Sequence, residues 1–279
     1  MKNSESVISK FKAMKTLPHV AIKLVKMLSA DEGGIKEYED VIRNDPSLVM
    51  RVFKLANSAY FALTEKVEVL SDAIAMIGLS NLRNIVVIEA LKDIYKGRMK
   101  SGPFSGKALW NHCLATAICC RMISERIFDQ NGEDAFLSGL MHDTGLLVEF
   151  QVLPELFEIM ASSKDDGASL IDHENMVLGT NHTKTGFCLA REWKLPAMVQ
   201  LGIRDHHLIS DHMEPSSITG IIQLGDLLAT RSGYVALPEN EESLSQPLVL
   251  HLRNNIDDYL KIQKVLGEEM EKAKGIYAG

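Results

Sequence analysis

The chain has 279 residues, of which 46% are hydrophobic, 24% charged and 6% aromatic, and it carries a net charge of −7. This is enough chain for one large or two modest domains with a sizeable core, and scarce aromatics beside plentiful Leu, Ile, Met and Ala favour packed helices over a sandwich or barrel. The acidic balance gives no basic footprint, which argues against nucleic acid or an acidic membrane as a partner for the whole surface.

Helical periodicity begins at Leu17, Val20, Ala21, Leu24 and Leu28, spaced as one buried helix face, with His19 in its first turn. Tyr38, Val41 and Ile42 form a shorter stripe that stops at Asn44-Asp45-Pro46. Asp45 is a good N-cap and Pro46 suits a first helical position, so the next helix is expected from about Ser47 to Ala56. Ser71 or Asp72 caps a further segment that ends at Gly78, and Ser80 starts a helix with Ile85, Ile88 and Leu91 inward. Residues 97–107 are polar and rich in turn formers, and they read as a joint between two helical lobes.

Beyond the joint, helices are expected at about 108–126, 133–144, 154–162, 169–178, 182–193, 196–207 and 215–231. A polar loop follows over about 232–246, where the acidic run Glu239–Glu242 reads as solvated. The tail, about 253–274, reads as an amphipathic helix with Ile256, Leu260, Ile262 and Leu266 inward. No stretch alternates well enough to be a sheet strand, although Lys66-Val67-Glu68-Val69 is compatible with a short extended piece. The fold class is therefore all-α: an N-terminal helical lobe over 1–98, a second helical lobe over 107–232, and a loop with a C-terminal helix over 233–279. Four cysteines without C-x-x-C spacing, an N-terminus lacking the apolar core of a signal peptide, and no run approaching about 18 apolar residues point to a cytoplasmic protein without a membrane partner.

The histidines carry the chemistry. Seven of the nine lie between positions 112 and 212, and His142-Asp143 falls at an expected helix end, where adjacent side chains can converge on one ion. His112 lies on the preceding helix, His182 at the start of a later one, His206-His207 at another helix end, and Asp226 inside the last helix of the group. Imidazole mixed with carboxylate suits Fe, Mn, Ni or Zn better than Ca, with too little thiolate for a structural zinc site. Such a site can polarise a phosphoryl oxygen. Taken singly, each histidine is more often a core or surface residue than a ligand.

The order His112, His142-Asp143, His182, His206-His207, Asp226 resembles the ligand order of the HD superfamily, especially its HD-GYP branch. The N-terminal lobe narrows the match: Asp45-Pro46-Ser47-Leu48-Val49-Met50-Arg51, Leu55-Ala56-Asn57-Ser58-Ala59-Tyr60-Phe61 and Ile74-Ala75-Met76-Ile77-Gly78-Leu79 resemble the HDOD (HD-related output domain) signature, as does Trp193-Lys194-Leu195-Pro196. The resemblance runs from about residue 10 to 232 and implies an HD-domain-like helical bundle. It implies that His112, His142, Asp143 and Asp226 bind a first ion with Asp143 as the bridge, and that His182, His206 and His207 serve a second. A mono- or dinuclear transition metal is thus the implied cofactor.

Two departures bear on chemistry. Related hydrolases commonly carry a lysine three residues after the HD aspartate, where this chain has Leu146, and Leu208–Pro215 replaces the GYP motif. Both count against cyclic-di-GMP hydrolysis and leave metal binding untouched. The expected function is a bacterial signal-transduction output protein acting through partners in trans, such as a kinase or cyclase, with a homo-oligomer compatible with that role. The alternative is a metal-dependent phosphodiesterase or phosphohydrolase acting on a cyclic or linear nucleotide, with Asp143 catalytic; a third reading is a metal that only staples the second lobe.

Other polar residues admit two readings each. Cys119 and Cys120 follow His112 by seven and eight residues, as ligands or redox sensors or as small buried residues behind a site. Arg51, Asn57 and Ser58 either line a groove or, in the case of Asn57 and Ser58, end a helix and satisfy its last carbonyls. His173 and His212 have no counterpart in the ligand order and are read as exposed or structural.

Overall fold

A computed structural model of the chain describes residues 4–14, 19–29, 33–58, 61, 65–95, 100–101, 104–163, 169–237 and 244–277. The side chain of His19, residues Ala59 and Tyr60 of the signature, 97–99 of the joint and the acidic run Glu239–Glu242 lie outside the described residues. The described chain is helical apart from one two-residue ladder, Lys100–Ser101 (β1) against Phe104–Ser105 (β2), antiparallel with Lys100 opposite Ser105. This ladder falls within the expected joint, where too few residues alternate to announce a strand. Lys66–Val69, by contrast, is not a strand.

The helices fall into two compact units. One holds residues 16–94 and 193–195 with the last residues of the chain: α2 (His19–Ser29), α3 (Ile35–Ile42), α4 (Pro46–Ala56) and α5 (Leu70–Tyr95) up to Ile94. Asp45 caps α4 as its chemistry predicts, accepting from the backbone N–H of Ser47 at 2.9 Å and of Leu48 at 3.3 Å, with Pro46 at the first position. Helix α5 breaks at Gly78, whose φ of 77° and ψ of 163° suit a residue without Cβ. Against the expectation of no such run, Leu70–Lys92 is long and apolar enough to cross a membrane by length and composition; 61% of its most apolar window is buried inside the fold, as in a core helix. Tyr38, Ile42, Leu48, Val52, Ile74, Leu82 and Ile85 are fully or almost fully buried in this unit, each side chain contributing about 1.5–3 kcal/mol relative to exposure.

The other unit comprises α1 (Ser4–Met14), the ladder, α6 (Gly106–Arg126), α7 (Glu133–Met141), α8 (Thr144–Val152), α9 (Pro154–Ser162), α10 (Leu170–Leu178), α11 (His182–Glu192), α12 (Ala197–Asp205), α13 (Ile218–Arg231), α14 (Gln246–Asn254) and α15 (Ile256–Tyr277) as far as Met270. Helices α6, α7, α12 and α13 pack on one another, and α8 lies against α11. Small residues permit these close crossings: a Cβ on Gly225 of α13 would meet Cys120 Sγ of α6 at 2.6 Å. Cys119 and Cys120 are accordingly small buried residues at a helix crossing, with burial raising the pKa of both thiols.

Three elements depart from the sequence expectation. Helix α1 buries Val7, Ile8 and Phe11 against α8 and α11. Helix α8 follows the His-Asp turn directly. Helix α14 fills part of the expected loop and first turn of the tail. The tail's register also differs. Ile256 and Leu260 are 45% and 52% exposed, while Tyr259, Ile262, Leu266, Met270 and Ala273 are buried. Those five continue one stripe at i, i+3, i+7, i+11 and i+14, whereas positions 260 and 262 point roughly 200° apart around a helix.

Candidate metal centre

All seven residues of the expected ligand order meet in the second unit, each delivered by a helix. His112 sits inside α6, His142 is the C-cap of α7, Asp143 the N-cap of α8, and His182 the first residue of α11. His206 is the C-cap of α12, His207 follows it, and Asp226 lies in α13. An N-cap aspartate ordinarily turns its carboxylate back onto the helix amides. Asp143 makes no such bond, because its carboxylate is turned into the cluster. Backbone proximity completes the approach: a Cβ on Gly145 would lie 2.0 Å from the His182 carbonyl oxygen, so only glycine lets α11 come this close to the His-Asp turn.

Asp143 divides the cluster in two. Its Oδ2 lies 3.4 Å from His112 Nε2 and 3.3 Å from His142 Nε2, while Oδ1 lies 3.4 Å from His182 Nε2 and 3.6 Å from His206 Nε2. Asp226 Oδ1 adds to the first set, 3.1 Å from His112 Nε2. His207 Nε2 adds to the second, 3.0 Å from His182 Nε2. Potential ligand atoms of His112, His142 and Asp143 lie within 4.8 Å of one another, as do those of Asp143, His182, His206 and His207. Apart from half-buried His207, every one of these residues is buried.

The opposite edges of the rings fix their protonation. His112 Nδ1 lies 2.8 Å from the Tyr234 carbonyl, His142 Nδ1 2.7 Å from that of Gly139, and His206 Nδ1 2.8 Å from that of Ile203. The last two contacts repeat one device: a C-cap histidine donates to an orphan carbonyl three residues back. A carbonyl only accepts, so each Nδ1 carries the proton and each neutral ring offers its Nε2 lone pair to the cluster. His112 and His142 then face each other at 3.3 Å, lone pair to lone pair, and Asp226 Oδ1 accepts no hydrogen bond there. Such an arrangement is stable only around a cation, either extra protons on some rings or a metal ion. The donor set therefore fits the transition metal that the residue order implies.

Without metal, electrostatics divide the same groups. Burial opposes charging His112, yet the carboxylates of Asp226 and Asp143 outweigh it and hold its pKa well above the ordinary imidazole value. His142 is raised in the same way, burial being overcome chiefly by Asp143. Burial and neighbouring His207 push His206 down to about 3. Burial would raise Asp143, but His142, His112 and His206 keep it well below the carboxylate range, and Asp226 is lowered by His112 against the same burial. The two ligand carboxylates are thus ionised at neutral pH.

Behind the rings lie groups that the sequence reading missed. Glu174 of α10, fully buried, accepts from His182 Nδ1 and from the His182 backbone N–H, and Glu149 of α8 accepts from the Thr185 hydroxyl at 2.8 Å. Burial raises both carboxyls, Glu174 to about 8, and the Glu174 charge pushes Glu149 further. The available signal was an acid placed four residues before Leu178 on the inward stripe of α10. Of the remaining histidines, His173 is buried with Nε2 near the Ser163 hydroxyl and the Met160 carbonyl, and His212 is exposed. Buried Cys113, Cys119 and Cys120 belong to neither ligand group among the described residues.

In the other unit, Asn57 and Arg51 are engaged within the fold, whereas the buried Ser58 hydroxyl has no hydrogen-bond partner among the described residues. Asn57 donates to the carbonyls of Phe53 and Val67 and accepts from Val67 N–H, which ends α4 and ties down the following segment. Arg51 pairs with Glu89 and reaches the Ile276 carbonyl at 3.3 Å.

Comparison with known proteins places this architecture. Among solved structures, a candidate signal transduction protein from Marinobacter aquaeolei is similar with a TM-score of 0.70 at 21% identity, over 95% of this chain and 60% of that one. A candidate phosphohydrolase from Shewanella amazonensis gives 0.66 at 23% identity over 97% and 95%, and an HDOD domain protein of unknown function from Geobacter sulfurreducens 0.65 at 22% over 94% and 97%. These likenesses establish the fold. An uncharacterized protein of Treponema pallidum is 28% identical over 200 residues, 68% of this chain and 37% of its own length; YuxH of Bacillus subtilis is 22% identical over 153 residues, 55% and 36%. The chain thus spans little more than a third of the length of these curated relatives. The family model for the HDOD domain matches residues 14–209, and the chain belongs to the HDOD family.

Proposed function

We propose that this chain is a regulatory output module of signal transduction, holding a transition metal pair in its HD-like cavity and acting through protein partners such as a kinase or a cyclase. The observation that carries this reading is Leu146. It is 1% exposed, in the first turn of α8, three residues after Asp143. Where related hydrolases place a phosphate-holding cation, this chain buries an apolar side chain. Burial acts first on Asp143, and the groups that then hold its pKa down are its own histidines, His142, His112 and His206. Such a centre keeps the ligands for metal and lacks that cation for a substrate phosphate.

Fe, Mn, Ni or Zn suits the mixture of imidazole and carboxylate. His112, His142, Asp143 and Asp226 would hold the first ion, and Asp143, His182, His206 and His207 the second. A second reading, a metal-dependent phosphohydrolase acting on a nucleotide, is favoured by the way Asp143 offers one oxygen to each histidine set. A bound ion would supply Lewis acidity toward a phosphoryl oxygen.

Metal analysis of protein purified from iron- or manganese-supplemented cells tests the centre, with His142→Ala as the control. Bound transition metal in the wild type, reduced in the variant, is expected; none in the wild type removes both readings. Capture of a kinase or cyclase from the native host supports the regulatory role. Turnover of cyclic dinucleotides or bis(p-nitrophenyl) phosphate, lost in Asp143→Ala, would replace it with the hydrolase.

A further inference from the structure

One ring of the cluster is supported differently from three others. His112, His142 and His206 each present Nδ1 to a neutral backbone carbonyl. His182 Nδ1 instead meets a carboxylate, with Glu174 Oε1 at 2.9 Å and Oε2 at 2.8 Å. The same carboxylate accepts the His182 backbone N–H at 3.1 Å, and both side chains are completely buried. Eight residues and the turn between α10 and α11 separate the partners, so two helices meet in this pair.

The halves also differ in charge. Asp226 gives the His112–His142 half a carboxylate of its own, besides the oxygen it receives from Asp143. The His182–His206–His207 half groups with Asp143, whose Oδ1 faces it, as its one carboxylate among the described residues that could share an ion. Three neutral imidazoles and one shared carboxylate oxygen can ligate a divalent ion, but they bring it less negative charge than the other half does.

We infer that Glu174 is a positioning residue for the second ion, fixing His182 with its proton on Nδ1 and adding negative charge to that half from behind the ring. The inference rests on the metal reading of the cluster and assigns one residue's part in it. A metal on Nε2 requires Nδ1–H, and a buried Nδ1–H requires an acceptor. Burial alone favours the protonated acid, whereas a cation held on the far side of the ring favours the carboxylate, which accepts from both the ring and the backbone N–H and makes the ring a stronger donor. Gln in the same place can accept through its single oxygen, but its NH2 then faces a second donor. Glu149, hydrogen-bonded to Thr185 one turn into α11, ties α8 to the same helix from which His182 projects.

The test is the stoichiometry and affinity of Co(II), followed by visible absorption and elemental analysis, in the wild type, Glu174→Gln and Asp226→Asn. Glu174→Gln should retain one ion with wild-type affinity and bind the second about 10- to 100-fold more weakly. Asp226→Asn should weaken the other site instead. Two ions bound by Glu174→Gln with unchanged affinities would overturn the inference while leaving the metal reading intact, and equal weakening of both ions would also overturn it. A wild type that binds no metal would overturn the reading beneath it. The wild type alone supplies a readout independent of how the variants fold. In the zinc-loaded, 15N-histidine-labelled protein, His182 should show an Nδ1 proton shifted downfield of those of His112, His142 and His206. A resonance indistinguishable from theirs would contradict a carboxylate acceptor.

Discussion

Asn57 spends its side chain inside its own segment: two donors go to the carbonyls of Phe53 and Val67, and its oxygen takes the Val67 N–H. Arg51, nearby on α4, is occupied by Glu89 and the Ile276 carbonyl. Around Asp143 the reverse holds. The His112, His142 and His206 rings satisfy Nδ1 with backbone carbonyls and leave Nε2 facing other acceptors. Both regions carry polar signature motifs. In one the chain itself occupies the Asn57 amide and the Arg51 guanidinium, and these residues are architecture; in the other, completion requires a cation from outside. The state of the inward-facing atom, more than polarity or burial, separates scaffold from site.

That contrast is most exposed to failure at Asp143. Asp143→Ala removes one ligand oxygen from each half, so metal affinity should fall by more than about 100-fold, beyond what loss of an outer-shell partner costs. Elemental analysis of purified protein checks this. Retention of two ions would mean that the cluster closes without its bridge. The next largest effect belongs to the scaffold. Arg51→Ala removes the cation beside Glu89, which is only 17% exposed and keeps the Ser47 hydroxyl as a donor, and should cost about 3 kcal/mol in a denaturant titration, with metal content of the folded protein unchanged. Undiminished stability together with lost partner capture would instead move Arg51 to an interaction surface and break the distinction.

The elements that were legible in the sequence are those with local stereochemistry. Asp45-Pro46 announced α4 through cap chemistry, and Gly78 announced the break in α5. The seven cluster residues were legible as an order along the chain; their meeting point was not, since nothing in spacing says that α6, α7, α11, α12 and α13 converge. Helix α8 left no trace because Leu146, Leu147, Val148 and Glu149 are all buried, and a helix enclosed on every side has no stripe to read. The tail misled for the opposite reason: Ile256 and Leu260 imitate an i, i+4 pair on a face that the fold leaves exposed. Glu174 shows in the sequence only as an acid on an inward stripe; its role stays hidden because its partner is a ring nitrogen eight residues away across a turn.

Glu149 lies between the two classes and carries the smallest effect. It is fully buried; one carboxyl oxygen accepts from the Thr185 hydroxyl, and the other has no hydrogen-bond partner. Burial first, and then the charge of Glu174, hold its pKa well above the ordinary value of 4.5. The folded chain therefore keeps a proton that the unfolded chain releases as pH rises past that value. With more protons bound to the native state, stability falls with rising pH until the folded group also ionises. Glu149→Gln substitutes a neutral amide whose oxygen still accepts from Thr185, so this part of the pH dependence should disappear. Thermal unfolding in chelator between about pH 5 and about pH 8 should give a flatter profile for the variant, with its advantage over the wild type greatest at the upper end. A variant less stable than the wild type at the upper end would show that the ionised carboxylate is the native form. Glu149 would then join Glu174 as charge that the cluster requires, and the boundary between scaffold and site would run one helix further back.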